Sequence, residues 1–363
     1  MTHDPAVAHE PAEPAMRDVP ARDAPRRRGG GRGKGGRGEQ LMVPEAEFSS
    51  YYGRPIVKAS PWEVDIPVYL FLGGLAGGSS LLAAGADLQG NTALRTPMRW
   101  TAIGAIGVSF AALVHDLGKP SRFHHMLRVA KVTSPMSVGT WILTVYGPAA
   151  ALAAAVQALP IAPKALRRSW IGRTAPLVGR VAGLAAAATA PAVASYTAVL
   201  LSDTATPTWH DAHLQLPFVF VGSASAAAGG AGMLLAPLSA SGPARRLAVG
   251  GAVVELAVSE YMEKRMGLSA EPLHTGKPGT MIRAAKACTA AGLVLAVAGR
   301  RHRGVSALAG VSLLAGSALT RFGIFYGGQA SARDPKYTVV PQRGRVDAGR
   351  SVRSDNAVKQ PAR

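Results

Sequence analysis

The sequence predicts an all-α integral membrane protein of eight transmembrane helices flanked by disordered N- and C-terminal tails, on three observations. Of its 363 residues 48% are hydrophobic and only 17% charged, the profile of a chain that uses lipid as part of its solvent. The apolar residues fall into eight runs, each near the length of about 20 residues that a helix needs to cross the hydrocarbon core. The cations lie mainly in the tails and short connections, where lipid headgroups and topology make use of them.

Residues 1–60 are rich in Pro, Gly, Arg and acids and include RRRGGGRGKGGRG, a composition that cannot bury enough surface to fold. No secretory signal precedes the first apolar run. The membrane domain follows over 61–327. Its first span, 66–86, contains LFLGGLAGGSSLLAAG, in which Gly73 with Gly77 and Gly74 with Gly78 form two small-xxx-small pairs suited to close helix approach. The second span, 99–117, ends in His115-Asp116-Leu117-Gly118, where Gly118 suits a left-handed cap and Pro120 prevents continuation.

The connection SRFHHMLRVAK then reads as a short interfacial helix. Phe123, Met126, Leu127 and Ala130 keep helical spacing while Arg122, Arg128 and Lys131 point to water or phosphate. Ser134 is placed to cap the third span, 136–158, with Pro135 in its first turn. The fourth span, 179–201, carries Pro191 at its middle, which should kink or loosen the chain near Ser195 and Tyr196. The fifth, 217–238, is uncharged, the sixth, 245–262, contains Glu255 and Glu260, and the seventh, 281–299, begins with Arg283 and Lys286. The eighth, 304–324, leads into a polar tail, 328–363.

An even number of spans puts both tails on one side of the membrane. Lys and Arg favour a cytoplasmic location for that side, although the excess comes from the tails and the short connections alone favour the reverse.

Several function classes are disfavoured. The formal charge of +19 is not accompanied by aromatic interleaving or a nucleic-acid module. Cys288 is the only cysteine, so the chain has no internal disulfide and no thiolate set for an iron–sulfur cluster or structural zinc. His210-x-x-His213 lacks a carboxylate at firm helical spacing, and His115 is the sole histidine within a span and sits at its rim, which argues against a metal centre and a membrane heme.

Polar and aromatic groups gather on the tail side. Trp62, Glu63, Asp65 and Tyr69 arrive with the first span, His115 and Asp116 end the second, and Tyr196, Asp203, Trp209 and His210 follow from the fourth. A polar pair at the rim of a span lines protein or water by default. The opposite connections carry little besides cations and turn residues. Glu255 lies deeper, where a carboxylate relays protons or is held neutral by a hydroxyl such as that of Ser259.

With YLFLGGLAGGS in the first span, HDLGKPSRF and SPMSVGTW around the second connection, and YTAVLLSDTATPTWH ending the fourth span, the chain resembles the NrfD/polysulfide-reductase family of membrane anchors over roughly residues 48–340. FGIFYGGQASARDPKYTVVPQR resembles the ending of actinobacterial-type members. The resemblance implies two four-helix bundles, here 61–215 and 216–327, with a quinone pocket in the first bundle near the surface that meets an iron–sulfur, ferredoxin-like subunit of a molybdopterin-type enzyme. Tyr196 matches the family's fourth-span tyrosine; Asp65 and Tyr69 stand where some relatives carry Asn or His.

The expected function is therefore a multi-pass anchor in the cell membrane that passes electrons between quinone, menaquinone in particular, and such an enzyme. Tyr196, His115, Asp65 and Tyr69 are the expected hydrogen-bonding groups, and Trp62 and Trp209 the walls. Asp116, Asp203 and Glu255 are candidates for proton transfer, and Arg122, Arg128, Lys131 and His210 for docking. A transporter would instead require a discontinuous helix and a mid-membrane site, and a purely structural anchor would bind no quinone.

Overall fold

A computed structural model describes residues 54–358, with side chains through residue 347. The first half comprises α1 (Asp65–Leu88), α2 (Thr92–Asp116), a 3-10 helix (Pro120–Arg128), α3 (Pro135–Ala155), α4 (Lys164–Arg168) and α5 (Trp170–Ser202). The short α6 (Pro207–Asp211) leads to α7 (Leu216–Leu235), α8 (Gly242–Met266), a 3-10 helix (Gly267–Leu273), α9 (Gly276–Ala298), α10 (Arg303–Arg333) and α11 (Lys336–Val358).

Apolar side chains have no reason to leave lipid for one another, so close backbone approach and dispersion must hold these helices together. The glycine pairs of α1 supply that approach on two faces. A Cβ at Gly77 would lie 2.9 Å from the Ala190 carbonyl oxygen of α5, and one at Gly78 would lie 2.8 Å from the Ala224 oxygen of α7. Thus α1 packs against α2, α5 and α7 and also touches α10. In the second half α7 packs on α8 and α10, and α9 on α10.

Seven described helices are long and apolar enough to cross a bilayer: α1, α2, α3 with its extension to Ile161, α5, α7, α9 with its extension to Arg301, and α10. The chain is a multi-pass, all-helical membrane protein over its described residues. The expected sixth span, 245–262, coincides with α8, whose 25 residues are long enough, but Arg245, Arg246, Glu255, Glu260, Glu263, Lys264 and Arg265 keep it outside the apolar set.

Other expectations need adjustment. The second connection is helical as expected, yet of the tighter 3-10 form and without a buried residue. Gly118 does adopt φ +67°. Ser134 stands at the cap position of α3 without a side-chain capping bond; Ser137 instead ties the connection down, accepting from Lys131 N at 3.0 Å and donating to Val129 O at 2.8 Å. Helix α5 starts well before the expected 179 and runs through Pro191, with the Ser195 hydroxyl donating to the Pro191 carbonyl at 2.8 Å.

The C-terminal tail, expected to be disordered, is helical over Lys336–Val358. Asp334 accepts from Lys336 N at 2.8 Å, and the Lys336 ammonium donates to Glu271 at 2.6 Å. That carboxylate holds the Lys336 ammonium above its ordinary pKa. The N-terminal tail, apart from 54–60, lies outside the described residues.

Candidate functional site

At the tail side, α1 and α2 run antiparallel, so the start of one meets the end of the other. Asp65 and Tyr69 lie on one face of α1, one turn apart. Asp65 reaches His115 Nδ1 at 2.8 Å, and the Ser109 hydroxyl donates to the Tyr69 carbonyl at 3.0 Å. His115 is 78% exposed and Asp65 25%, so this pair faces the surface. Asp116 and Glu63 add negative charge around the imidazole.

Below that rim, the Tyr69 and Tyr196 hydroxyls are hydrogen-bonded to each other, their rings edge to face with centroids 6.5 Å apart. Both residues are buried. The third helix makes room for them: a Cβ at Gly139, within SPMSVGTW, would collide with the Tyr196 ring. A second buried hydroxyl pair, Ser80 with Tyr146 at 2.8 Å, joins α1 to α3 farther along.

Trp62 and Trp209 also meet, stacked with centroids 6.0 Å apart. Trp209 is fully buried, its indole N–H donates to the Ile324 carbonyl at 2.9 Å, and it also contacts Phe325. It is a packing post between α6 and α10, and Trp62 is tied to the same helix by Gln329, which donates to its carbonyl at 2.7 Å.

Asp203 and His210 lie elsewhere. Both are exposed and line a 650 Å³ cleft completed by Tyr337 and Arg345 of α11. Arg122, Arg128 and Lys131 are exposed on the second connection. Between that connection and the α2–α3 pair lies an apolar crevice of 340 Å³, bordered by Phe110, Leu113, Phe123, Met126, Leu127 and Leu143.

Glu255 belongs to a separate cluster in the second half. It is 2% exposed and accepts from the Thr320 hydroxyl at 2.7 Å. Beside Thr320 is Arg321, fully buried, which donates to the Phe220 carbonyl at 2.7 Å and lies over the Phe220 ring at 3.7 Å. Glu255 and Arg321 interact electrostatically without a direct ion pair among the described residues, and each retains buried polar atoms without a partner.

The structure thus joins Asp65 with His115, Tyr69 with Tyr196 and Trp62 with Trp209, and leaves Asp203, His210 and Glu255 apart from those pairs. Sequence reasoning missed Ser109, Gly139 and Arg321. Only Arg321 left a plain signal there, as a lone cation inside the eighth apolar run. Among the described residues no group of three His, Cys, Asp or Glu side chains is arranged to hold a metal ion.

Comparison with curated proteins gives no match. The family model described as polysulphide reductase, NrfD, matches residues 56–263, from the approach to α1 through most of α8, and leaves the FGIFYGGQASARDPKYTVVPQR stretch outside the matched residues. Because that match covers more than half of the chain and contains the Asp65–His115 and Tyr69–Tyr196 pairs, this protein belongs to the NrfD family.

Proposed function

We propose that the chain is the quinone-interacting membrane anchor of a multi-subunit oxidoreductase, passing electrons between quinone, menaquinone in particular, and a peripheral iron–sulfur and molybdopterin enzyme. The observation that carries this reading is the buried Tyr69–Tyr196 hydroxyl pair one helical turn below the Asp65–His115 pair. Among the described residues each tyrosine hydroxyl bonds only the other, so either can turn to an entering ring oxygen at the loss of one bond.

Oxidation of a quinol releases two electrons and two protons. Tyr196 and Tyr69 provide hydrogen-bonding hydroxyls where water is excluded, while His115 and Asp65 provide a proton acceptor with access to water. Asp116 and Glu63 stand close enough to that imidazole to act on it electrostatically. Trp62 flanks the approach to α1. The 340 Å³ crevice between α2 and α3 has the apolar lining and the size of a ligand cleft and suits a prenyl chain.

In this reading α8 crosses the membrane as an eighth span, its charges compensated within the protein. Helices α1, α2, α3 and α5 form one bundle and α7 to α10 the other, with both tails in the cytoplasm. Glu255 serves proton transfer within the second bundle, and Asp203 at the tail-side cleft.

Tyr196→Phe and His115→Ala are each expected to lower quinone-linked electron transfer by about 10-fold or more, the equivalent of one charge-assisted hydrogen bond. Membrane insertion and partner association should persist. Turnover with quinone in membranes from each variant, together with co-purification, tests this; unchanged turnover in both would remove them from the site.

The iron–sulfur partner is expected on the same face, because electron transfer needs its cluster close to the quinone. Arg122, Arg128 and Lys131 offer it cations, and His210, in the separate cleft beside α11, adds a further candidate contact on the tail side. Exposed pairs contribute only about 0–1 kcal/mol each, so reversal of all three cations to Glu should weaken association cumulatively and make it more salt-sensitive. The same reversal at Arg167, Arg168 and Arg173 should have no such effect. Loss of the partner only with the latter triple variant places docking on the other face.

A further inference from the structure

We propose that Asp87, Arg95, Arg99 and Arg180 form a binding site for a phosphate group at the end of the α1–α2 hairpin opposite Asp65, occupied by an anionic phospholipid headgroup or by free phosphate. Three guanidinium groups converge there on a single carboxylate. Asp87 accepts from Arg95 Nη1 at 2.6 Å and from Arg99 Nη2 at 3.4 Å, and Arg180 Nε stands 4.0 Å from it. One negative charge against three positive leaves a net charge of +2.

That surplus is built into the protein rather than spread over water. Arg99 is 5% exposed and donates to the Gly179 carbonyl at 3.0 Å, and the Nε groups of Arg95 and Arg99 are buried without a partner among the described residues. Charges in such a place are costly unless another ion compensates them. Arg180, 53% exposed, opens the cluster to the outside.

The depth matches a headgroup. Helix α5 has 33 residues, about 50 Å of helix against a hydrocarbon core of about 30 Å. Arg180 lies about 15 Å from its start. Trp100 and Trp170, both exposed, flank this end of the bundle as interfacial aromatics do. Guanidinium forks match phosphate oxygens in geometry and charge, and basic pockets between transmembrane helices take anionic headgroups.

The test uses the purified full-length chain in neutral detergent, titrated separately with phosphatidylglycerol, phosphatidylcholine and inorganic phosphate. Lipid retention is read by native mass spectrometry and the unfolding midpoint by heating. Phosphatidylglycerol should be retained and raise the midpoint, and phosphatidylcholine should do neither. The Arg95→Gln/Arg180→Gln variant should bind phosphatidylglycerol about tenfold more weakly. Arg167→Gln/Arg168→Gln, an equal charge loss on the same side, should leave binding unchanged. Asp87→Asn should act oppositely and tighten retention, because it removes the internal competitor for the same cations.

An equal midpoint shift from inorganic phosphate supports the site with the soluble ion as occupant; no shift assigns it to lipid. Equal retention by wild type and Arg95→Gln/Arg180→Gln, or equal weakening by the control pair, overturns the proposal. If the double arginine variant does not fold, weaker or unchanged retention by Asp87→Asn overturns it alone.

Discussion

Glu255→Leu should destabilise the folded protein by several kcal/mol, with the about 3–5 kcal/mol of a broken buried ion pair as the upper bound, because it removes the carboxylate whose charge offsets that of Arg321. The loss arises from Arg321 more than from Glu255 itself. With the carboxylate gone, a fully buried guanidinium keeps, among the described residues, only the Phe220 carbonyl and ring as partners. Glu255→Gln, which preserves an acceptor for the Thr320 hydroxyl, should lose less. The double variant Glu255→Leu/Arg321→Met should regain much of the loss, since an apolar pair of similar volume carries no uncompensated charge. Unfolding midpoints of the wild type, these three variants and Arg321→Met alone, in one detergent, decide the matter; losses of the two single variants that simply add in the double variant would show that the two charges do not depend on each other.

Gly78→Val should prevent α1 from seating against α7. Its Cβ would have to enter within 2.8 Å of the Ala224 carbonyl oxygen and 2.7 Å of the Ala228 methyl, and because the oxygen belongs to the backbone, the whole helix must move. The expected cost reaches or exceeds the ~1–3 kcal/mol typical of overpacking, and membranes should contain little folded protein. Gly85→Val, on the same helix with none of the described residues within 4 Å of the new Cβ, should accumulate normally. The contrast separates a packing requirement from a general intolerance of β-branched residues in α1, and similar yields of the two variants would contradict it.

The positions of the apolar spans were legible because burial in lipid imposes one requirement, length without charge, that the sequence states directly. Helix α8 shows the limit of that rule. Its charges blur the hydropathy signal, and what satisfies them, such as Lys286 from α9 donating to Glu263 at 2.7 Å, comes from another part of the chain. The Tyr196 position was legible through the motif around it, but the need for Gly139 was not, since the ring that forbids a side chain there arrives from a different helix. Asp65 and His115 were each recognisable as rim residues, and their pairing follows only once α1 and α2 are antiparallel. The helix α11 was hidden because its composition is mostly polar, with Pro341 and Gly344 inside it, and composition alone does not report the ion pair with Glu271 or the Asp334 cap that start it.

The continuity of α10 has a mechanical consequence. Its 31 residues form a rod of about 46 Å, with Thr320 and Arg321 partway along it and Gln329 and Ser331 near its upper end. The upper end grips the Trp62 carbonyl through Gln329 and the Thr208 N–H through Ser331. A pivot of about 5° in such a rod carries its tip by about 4 Å relative to its base, more than the span of the hydrogen bonds it holds. The rod therefore cannot tilt freely: either it stays fixed in angle, or its movement breaks the bonds to Trp62, three residues before α1, and to Thr208 in α6.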